Sequence, residues 1–365
     1  MRKIVYMEWV KTRPRARYEI GGSGIIPVHI DELPEARDAL EINDFNLYGY
    51  RPLIRALADR YEVSPDQIVT APGTSMANYL AIAATVGAGD EVLVEHPAYE
   101  PLLDIPELLG AQVRRFDRGF TRRFRIDIGS LADQVTPRTK LIILTNPHNP
   151  SGILEPAEVL REVGRLAARA GAYVLVDEVY MDFLFPSRPS TAVHLGSNFL
   201  MTCSLTKAYG LDGLRCGWVL GPPDVLKAMW RLQDFFGVNG VIPGETTSVT
   251  AFQHLERFQK RSQSILAANR PLIDQFMAAH QAALDWAPPD AGPVCFPRMR
   301  SGAADEFCAR LRGEYDVGVI PGRFFEMPEH FRIGFGGPTE DLRAGLERLS
   351  QALTRLVFNP QGSQA

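Results

Sequence analysis

Phe199-Leu-Met-Thr-Cys-Ser-Leu-Thr-Lys-Ala-Tyr-Gly-Leu-Asp-Gly-Leu-Arg-Cys-Gly-Trp218 is the stretch that decides how this chain is read. The apolar run Phe199 to Met201 predicts a buried strand. It gives way to small hydroxylated residues, Thr202, Ser204 and Thr206, and then to Lys207. Glycines at 210, 213 and 217 predict a flexible turn, with Arg215 set among them. A lysine amine condenses with a carbonyl to form a Schiff base. Hydroxyls and an arginine grip a phosphate, and glycines let backbone come close. The stretch therefore suits a buried carbonyl cofactor with a phosphate tail. Only six lysines occur in the chain, at 3, 11, 140, 207, 227 and 260, so candidates for such chemistry are few.

The rest of the chain is compatible with a soluble enzyme. Its 365 residues are 45% hydrophobic and 22% charged, ordinary for a globular protein and long enough for two domains. A formal net charge of -4 gives no bulk attraction to nucleic acid or an anionic membrane. The arginine-rich stretch Arg114 to Arg125 is the local exception, readable as a solvated strand pair or as a site for an acidic partner. Cys203, Cys216, Cys295 and Cys308 have neither zinc-ligand spacing nor the pattern of a secreted disulfide framework, so no metal is expected. Met1 to Arg17 is polar and basic, without the apolar core of a signal peptide. No apolar run approaches the ~20 residues that span a bilayer. The expectation is a cytoplasmic protein with no membrane partner.

Working outward from the lysine stretch, strands and helices alternate. Residues 1 to 45 read as irregular, with a short helix at Leu33 to Leu40. Gly21 to Gly24 lacks the glycine that a nucleophile elbow would need at Ile25, and is either a connecting loop or a substrate contact. A helical stripe runs from Tyr48 to Tyr61. Strand Ile68 to Thr70 leads through Gly73-Thr74-Ser75 into helix Met76 to Val86, an arrangement that points free N–H groups at an anion. Strand Glu91 to Glu95 ends at His96-Pro-Ala-Tyr99, where Tyr99 either stacks on a flat ring or packs. Pro106 interrupts the next helix. The apolar strand from Lys140 to Leu144 ends in two Asn-Pro pairs, a rigid turn presenting amides. Strand Tyr173 to Val176 ends in Asp177 and Glu178, acids that need partners if buried. After the lysine come helix Pro223 to Phe235 and one long helical region, Thr246 to His280, bent near Phe258. Short strands at Val294 to Phe296, Val317 to Ile320 and Phe331 to Phe335 alternate with helices Ala303 to Arg312 and Thr339 to Leu356. The tail from Asn359 reads as frayed.

This alternation predicts an α/β fold with a mainly parallel central sheet. Such sheets bind ligands at strand C-termini, and Gly73, Tyr99, Asn149, Asp177 and Lys207 all fall there. The length allows two domains, or one large domain with a smaller one. The glycines match no dinucleotide fingerprint and no P-loop is present.

Four motifs carry a family resemblance: Asn146-Pro-His-Asn-Pro-Ser-Gly152, Val176-Asp-Glu-Val-Tyr180, Ser204-Leu-Thr-Lys through Cys216-Gly217, and Phe331-Arg-Ile-Gly334. In order and spacing, over nearly the whole chain, they resemble the fold-type I, pyridoxal-phosphate-dependent aminotransferases of class I and II. The lysine segment is similar to that of histidinol-phosphate aminotransferases. His96-Pro-Ala-Tyr99 and Cys295-Phe-Pro-Arg298 are closer to a capreomycidine-synthase-like branch.

The resemblance implies that Lys207 holds pyridoxal 5'-phosphate as a Schiff base and later shuttles a proton. It implies that Asp177 pairs with the pyridinium nitrogen and that Tyr180 and Asn149 meet the phenolic oxygen. Tyr99 would stack on the ring. Gly73, Thr74, Ser75, Ser204 and Arg215 would hold the phosphate, with Tyr48 reaching the neighbour's cofactor in a homodimer. Arg332 would bind the substrate carboxylate, with Asn149 and backbone near Gly22. The division expected on this resemblance is a large domain over 46–255 and a smaller α/β domain from both termini, 1–45 and 256–365. Implied activity is transfer of an amino group from an α-amino acid to a 2-oxo acid by ping-pong steps. A lyase, decarboxylase or cyclase on the same cofactor is the alternative, and a non-catalytic protein retaining the fold a third. The asparagine-rich start of histidinol-phosphate enzymes is missing, and Tyr48 to Arg55 is shorter than usual. No counterpart stands for the arginine that reads an acidic side chain, so Arg323 and Arg298 are the substitutes to examine.

Overall fold

The computed structural model describes residues 3–184 and 191–355. The frayed tail expected from Asn359 lies outside them. A seven-stranded sheet organises the molecule, with strands β1 (Ile68–Pro72), β2 (Glu91–His96), β3 (Gln112–Asp117), β4 (Thr139–Thr145), β5 (Tyr173–Asp177), β6 (Phe199–Ser204) and β7 (Cys216–Leu220). Their order is β1-β7-β6-β5-β4-β2-β3. β7 runs antiparallel to both β1 and β6, while the remaining pairs are parallel. This is the α/β, mainly parallel architecture that the strand–helix alternation predicts.

The central strands are apolar on both faces because helices cover both. Val92, Val94, Leu141, Ile143, Leu175, Leu200 and Val219 face a cluster that includes Leu80 and Ile82 of helix Gly73–Thr85. Leu93, Ile142, Leu144, Val174 and Val176 face the other side, against Leu160, Val163 and Ala167 of helix Ala157–Arg169. Removal of that much apolar surface from water is the main force holding the layers together. A further cluster gathers Ile20 with Ile273, Phe276, Phe307, Phe331, Ile333, Leu346 and Leu349 around short antiparallel strands, Val294–Cys295 with Phe331–Gly334 and Ile320–Pro321 with Phe331–Gly334.

Several expectations need correcting. Residues 1 to 45 are not all irregular: Val5–Thr12 is a helix that packs Tyr6 and Trp9 against Phe324. Tyr6 and Trp9 fall at helical spacing, but two positions are too short a stripe to announce a helix, and Val10 beside them is exposed. The glycine-rich turn after Lys207 ends earlier than expected, because Cys216–Leu220 is a strand. Gly217 serves close packing: a Cβ there would fall 2.4 Å from the Gly73 carbonyl carbon. The long helix from Thr246 is two helices, Ile242–Gln253 and Leu255–Ala279, broken at His254. The break lets Ala251, Leu255 and Phe258 reach one apolar cluster. Pro106 sits inside the last turn of helix Pro101–Leu108, ending it rather than interrupting it. The basic stretch is internally neutralised: Arg114 pairs with Glu91, Arg115 with Glu326, Arg118 with Glu95 and Glu155, Arg122 with Asp127, and Arg125 with Asp290. Five of its six arginines are thus paired with carboxylates of this chain, which favours the reading as a solvated strand pair.

Candidate active site

The C-terminal ends of β1, β2, β4, β5 and β6 surround a cavity of about 220 Å³. Thr74, Ser75, Tyr99, Thr145, Asn149, Asp177, Tyr180, Ser204, Thr206, Lys207, Arg215 and Arg332 line it. Tyr6, Met7 and Ser23, unforeseen from the sequence, complete the wall. Segments that are far apart in the chain thus meet because parallel strands deliver all their following loops to one edge.

At the cavity floor Lys207 Nζ donates to Ser23 Oγ at 2.9 Å. Burial, with Arg332 adding to it, brings the Lys207 amine down to about 8. Near neutral pH a useful fraction is thus the unprotonated nucleophile. Asp177 is buried at the end of β5, and burial raises its carboxyl to about 6. Opposing the shift, Asp177 Oδ2 accepts from Asn78 Nδ2 at 2.8 Å and Oδ1 from the Val179 N–H at 3.0 Å. Asn78 is held in turn by Thr202 Oγ1, which donates to its Oδ1 at 2.6 Å. Thr202 therefore does not grip a phosphate; its hydroxyl orients the amide behind Asp177. Asn78 gives no signal in the sequence because it lies mid-helix among apolar residues.

One end of the cavity suits an anion. Helix Gly73–Thr85 opens there with Thr74 and Ser75, so free N–H groups and the positive helix end face inward. Arg215, in a left-handed conformation (φ 52°), reaches back to donate to the Pro72 carbonyl at 3.2 Å. Gly73 does not itself line the cavity. Its φ of 79° and missing side chain make room for Arg215, whose Nη2 would lie 2.3 Å from a Cβ.

At the other end is Arg332, 2% exposed. Its Nη1 donates to Asn149 Oδ1 at 3.0 Å, and its Nη2 to Tyr6 Oη at 3.1 Å and to the Gly21 carbonyl at 3.0 Å. Every one of these partners is neutral, and Arg332 Nε has none. Among the described residues no carboxylate pairs with Arg332. Gly22 lies on a neighbouring cleft, and its neighbour Gly21 supplies the contact. Tyr180 is fully buried, its hydroxyl pushed up to about 12 by burial, with Arg332 and Ser23 opposing.

Three residues lie elsewhere. Tyr48 is 58% exposed, packs edge-on to Trp230 and faces a separate surface cleft of this chain. Arg323 pairs with Asp305 at 3.0 Å, and Arg298 lies over Phe120 beside Asp285. Neither arginine reaches the cavity, so the expectation that one of them reads an acidic side chain is corrected.

The profile of the family described as "Aminotransferase class I and II" matches residues 19–349. The chain belongs to this aminotransferase family. Its members' cofactor is pyridoxal phosphate (PLP), and the chain is a PLP-dependent enzyme. This aminotransferase-family chain is 30% identical to capreomycidine synthase of Streptomyces vinaceus over 95% of its own length and 92% of that protein's. It superposes on a PLP-dependent aminotransferase from Streptococcus suis with a TM-score of 0.91 at 27% identity, covering 97% and 98% of the two chains. It also superposes on the PLP-dependent cyclase OrfR with a TM-score of 0.89 at 28% identity, covering 98% of each.

The residues present fit that cofactor. Thr74 Oγ1 and Tyr180 Oη are buried without a hydrogen-bond partner of normal geometry among the described residues. A phosphate and a phenolic oxygen are the acceptors such donors lack. The buried Asp177 likewise has no cationic partner within hydrogen-bonding distance among the described residues, and a protonated ring nitrogen would supply one. Among the described residues no helix is long and apolar enough to cross a membrane.

Proposed function

We propose that this chain is a transaminase that moves an amino group from an α-amino acid to a 2-oxo acid in two ping-pong halves. The observation that supports the reading most is Arg332: a buried guanidinium with neutral partners, in one cavity with Lys207 and Asp177. Its planar fork suits the carboxylate of an amino acid. The bound cofactor supplies an electron sink for charge developing at the substrate α-carbon. Lys207 would anchor it and, once released, would be the amine placed to take and return the α-proton; a positioned base is worth ~10²–10⁴-fold. Asp177, fixed by Asn78 and Val179, would keep the cofactor's ring nitrogen protonated. Tyr180 and Asn149 would donate to its phenolic oxygen, Tyr99 would lie against its ring, and Thr74, Ser75, Ser204 and Arg215, with the backbone at Gly73, would hold its phosphate. Arg332, Asn149 and the backbone at Gly21 and Gly22 orient the substrate.

The same reading takes the chain as a cytoplasmic homodimer with a large domain, 46–255, and a smaller one, 1–45 and 256–365. Tyr48 then completes the partner's site. Its exposure, together with that of Phe45, Leu47, Phe235 and Phe236, supports this.

A cyclase is the second reading, favoured by the likeness to capreomycidine synthase and to OrfR over almost the whole chain. The experiment that separates the two is a panel of amino acids given to the purified holoenzyme, with and without pyruvate or 2-oxoglutarate. A transaminase consumes one equivalent of donor per site, stops, and resumes when the 2-oxo acid is added. Sustained turnover without an acceptor assigns the lyase or cyclase.

A further inference from the structure

We propose that Tyr6 is a further substrate-binding residue, completing the carboxylate site that Arg332 begins. The proposal rests on the reading of Arg332 as the anchor of a substrate carboxylate. Tyr6 Oη accepts from Arg332 Nη2 at 3.1 Å. A phenol that accepts one hydrogen bond still has its own proton to donate. No acceptor for that proton exists among the described residues, and the side chain lines the cavity. An anion lying against Arg332 would therefore meet a second donor, already oriented by the first.

Placement of the ring leaves little freedom. Tyr6 is 6% exposed and meets Tyr99, Phe324 and Phe325 at centroid distances of 6.0, 5.4 and 6.0 Å. Met7, its neighbour, accepts from the Tyr99 hydroxyl through Sδ at 3.8 Å. The helix Val5–Thr12 that carries both is fastened to the start of helix Pro101–Leu108: Glu100 accepts from the Val5 N–H at 3.0 Å and the Tyr6 N–H at 2.5 Å. Glu100 follows Tyr99 directly, so the helix start and the ring wall are tied at one point. Tyr6 thus closes the carboxylate end of the cavity, while Met7 lines the wall beside it. A separation of 326 residues along the chain lies between Tyr6 and Arg332, which is why no local pattern discloses their contact.

The test needs no knowledge of the natural substrate. Two carbonyl-trapping reagents are added to the holoenzyme: aminooxyacetate, which has a carboxylate, and methoxyamine, which has none. The loss of the bound cofactor's visible absorbance gives each second-order rate constant. Tyr6→Phe keeps the packed ring and removes the hydroxyl. It should slow aminooxyacetate about tenfold, the worth of one hydrogen bond to a charged group, and leave methoxyamine within about twofold. The same variant should raise KM for the amino donor and leave kcat nearly unchanged, the pattern of an interaction equal in ground and transition states. Equal rates for wild type and Tyr6→Phe with aminooxyacetate would overturn the proposal. A parallel loss with both reagents would also overturn it, since it would show a general disturbance of the site. Wild-type enzyme that does not prefer aminooxyacetate to methoxyamine would instead sink the reading of Arg332.

Discussion

Arg118 and Arg332 are both large, almost sealed arginines, yet their surroundings are opposite. Arg118 meets Glu95 at 2.6 Å and Glu155 at 3.2 Å, and also donates to the carbonyls of Phe124 and Thr145. Arg332 has an amide, a phenol and a backbone carbonyl, with no counter-charge among the described residues. A buried charge without compensation is costly, so a folded protein that keeps one has another use for it. The two are also connected. Thr145 Oγ1 donates to Glu95 and accepts from the Asn149 N–H, and Asn149 Oδ1 accepts from Arg332. The self-satisfied cluster is therefore the footing on which the unsatisfied one stands.

The contrast can be broken by substitution. Arg118→Met would leave two buried carboxylates unpaired, and unfolding in urea should show a loss of about 3–5 kcal/mol. Arg332→Met removes a charge that lacks a partner, so its stability should match or exceed that of the wild type. Its kcat/KM for an amino donor should fall by the ~2–5 kcal/mol that a desolvated charge contact carries, a drop of at least about thirtyfold. If Arg332→Met unfolded as readily as Arg118→Met, the distinction between structural and substrate-directed arginines would fail.

Titration sharpens the same point at the cavity floor. The Lys207 amine sits at about 8 against an ordinary 10.5, so the unfolded chain binds more protons between those values. Apoenzyme stability should rise with pH across that window from this group. The Asp177 carboxyl sits at about 6 against an ordinary 3.8, so here the folded chain binds more protons. Its contribution is present below 3.8 and is lost as pH rises through about 6. A tenfold change in proton affinity on folding corresponds to about 1.4 kcal/mol. Asp177→Asn should therefore stabilise apoenzyme at pH 7 while abolishing turnover, and a thermal melt beside an assay checks both. A melt unchanged by the substitution would remove Asp177 from the set of strained functional groups.

The smallest effect belongs to Arg323, already paired with Asp305 outside the cavity. Arg323→Gln should change KM for acidic and neutral donors by less than about twofold, as for surface pairs generally. A selective loss with acidic donors would return Arg323 to the substrate site.

The α/β alternation, the parallel sheet and the loops that end at Thr74, Tyr99, Asn149, Asp177 and Lys207 are legible in the amino-acid order. Those features are local: apolar runs bounded by breakers name their own strands, and parallel strands send their loops to one edge. Packing in three dimensions was needed to show that Asn78 and Thr202 stand behind Asp177, that Thr202 is not a phosphate ligand, and that Gly217 is a strand residue packed on Gly73. It was needed too for Tyr6, read as part of an irregular start, which reaches Arg332, and for Arg298 and Arg323, which do not reach the cavity. A hydrogen bond across hundreds of residues leaves no periodicity in the chain, because it depends on where separate elements pack and on which charges they neutralise first.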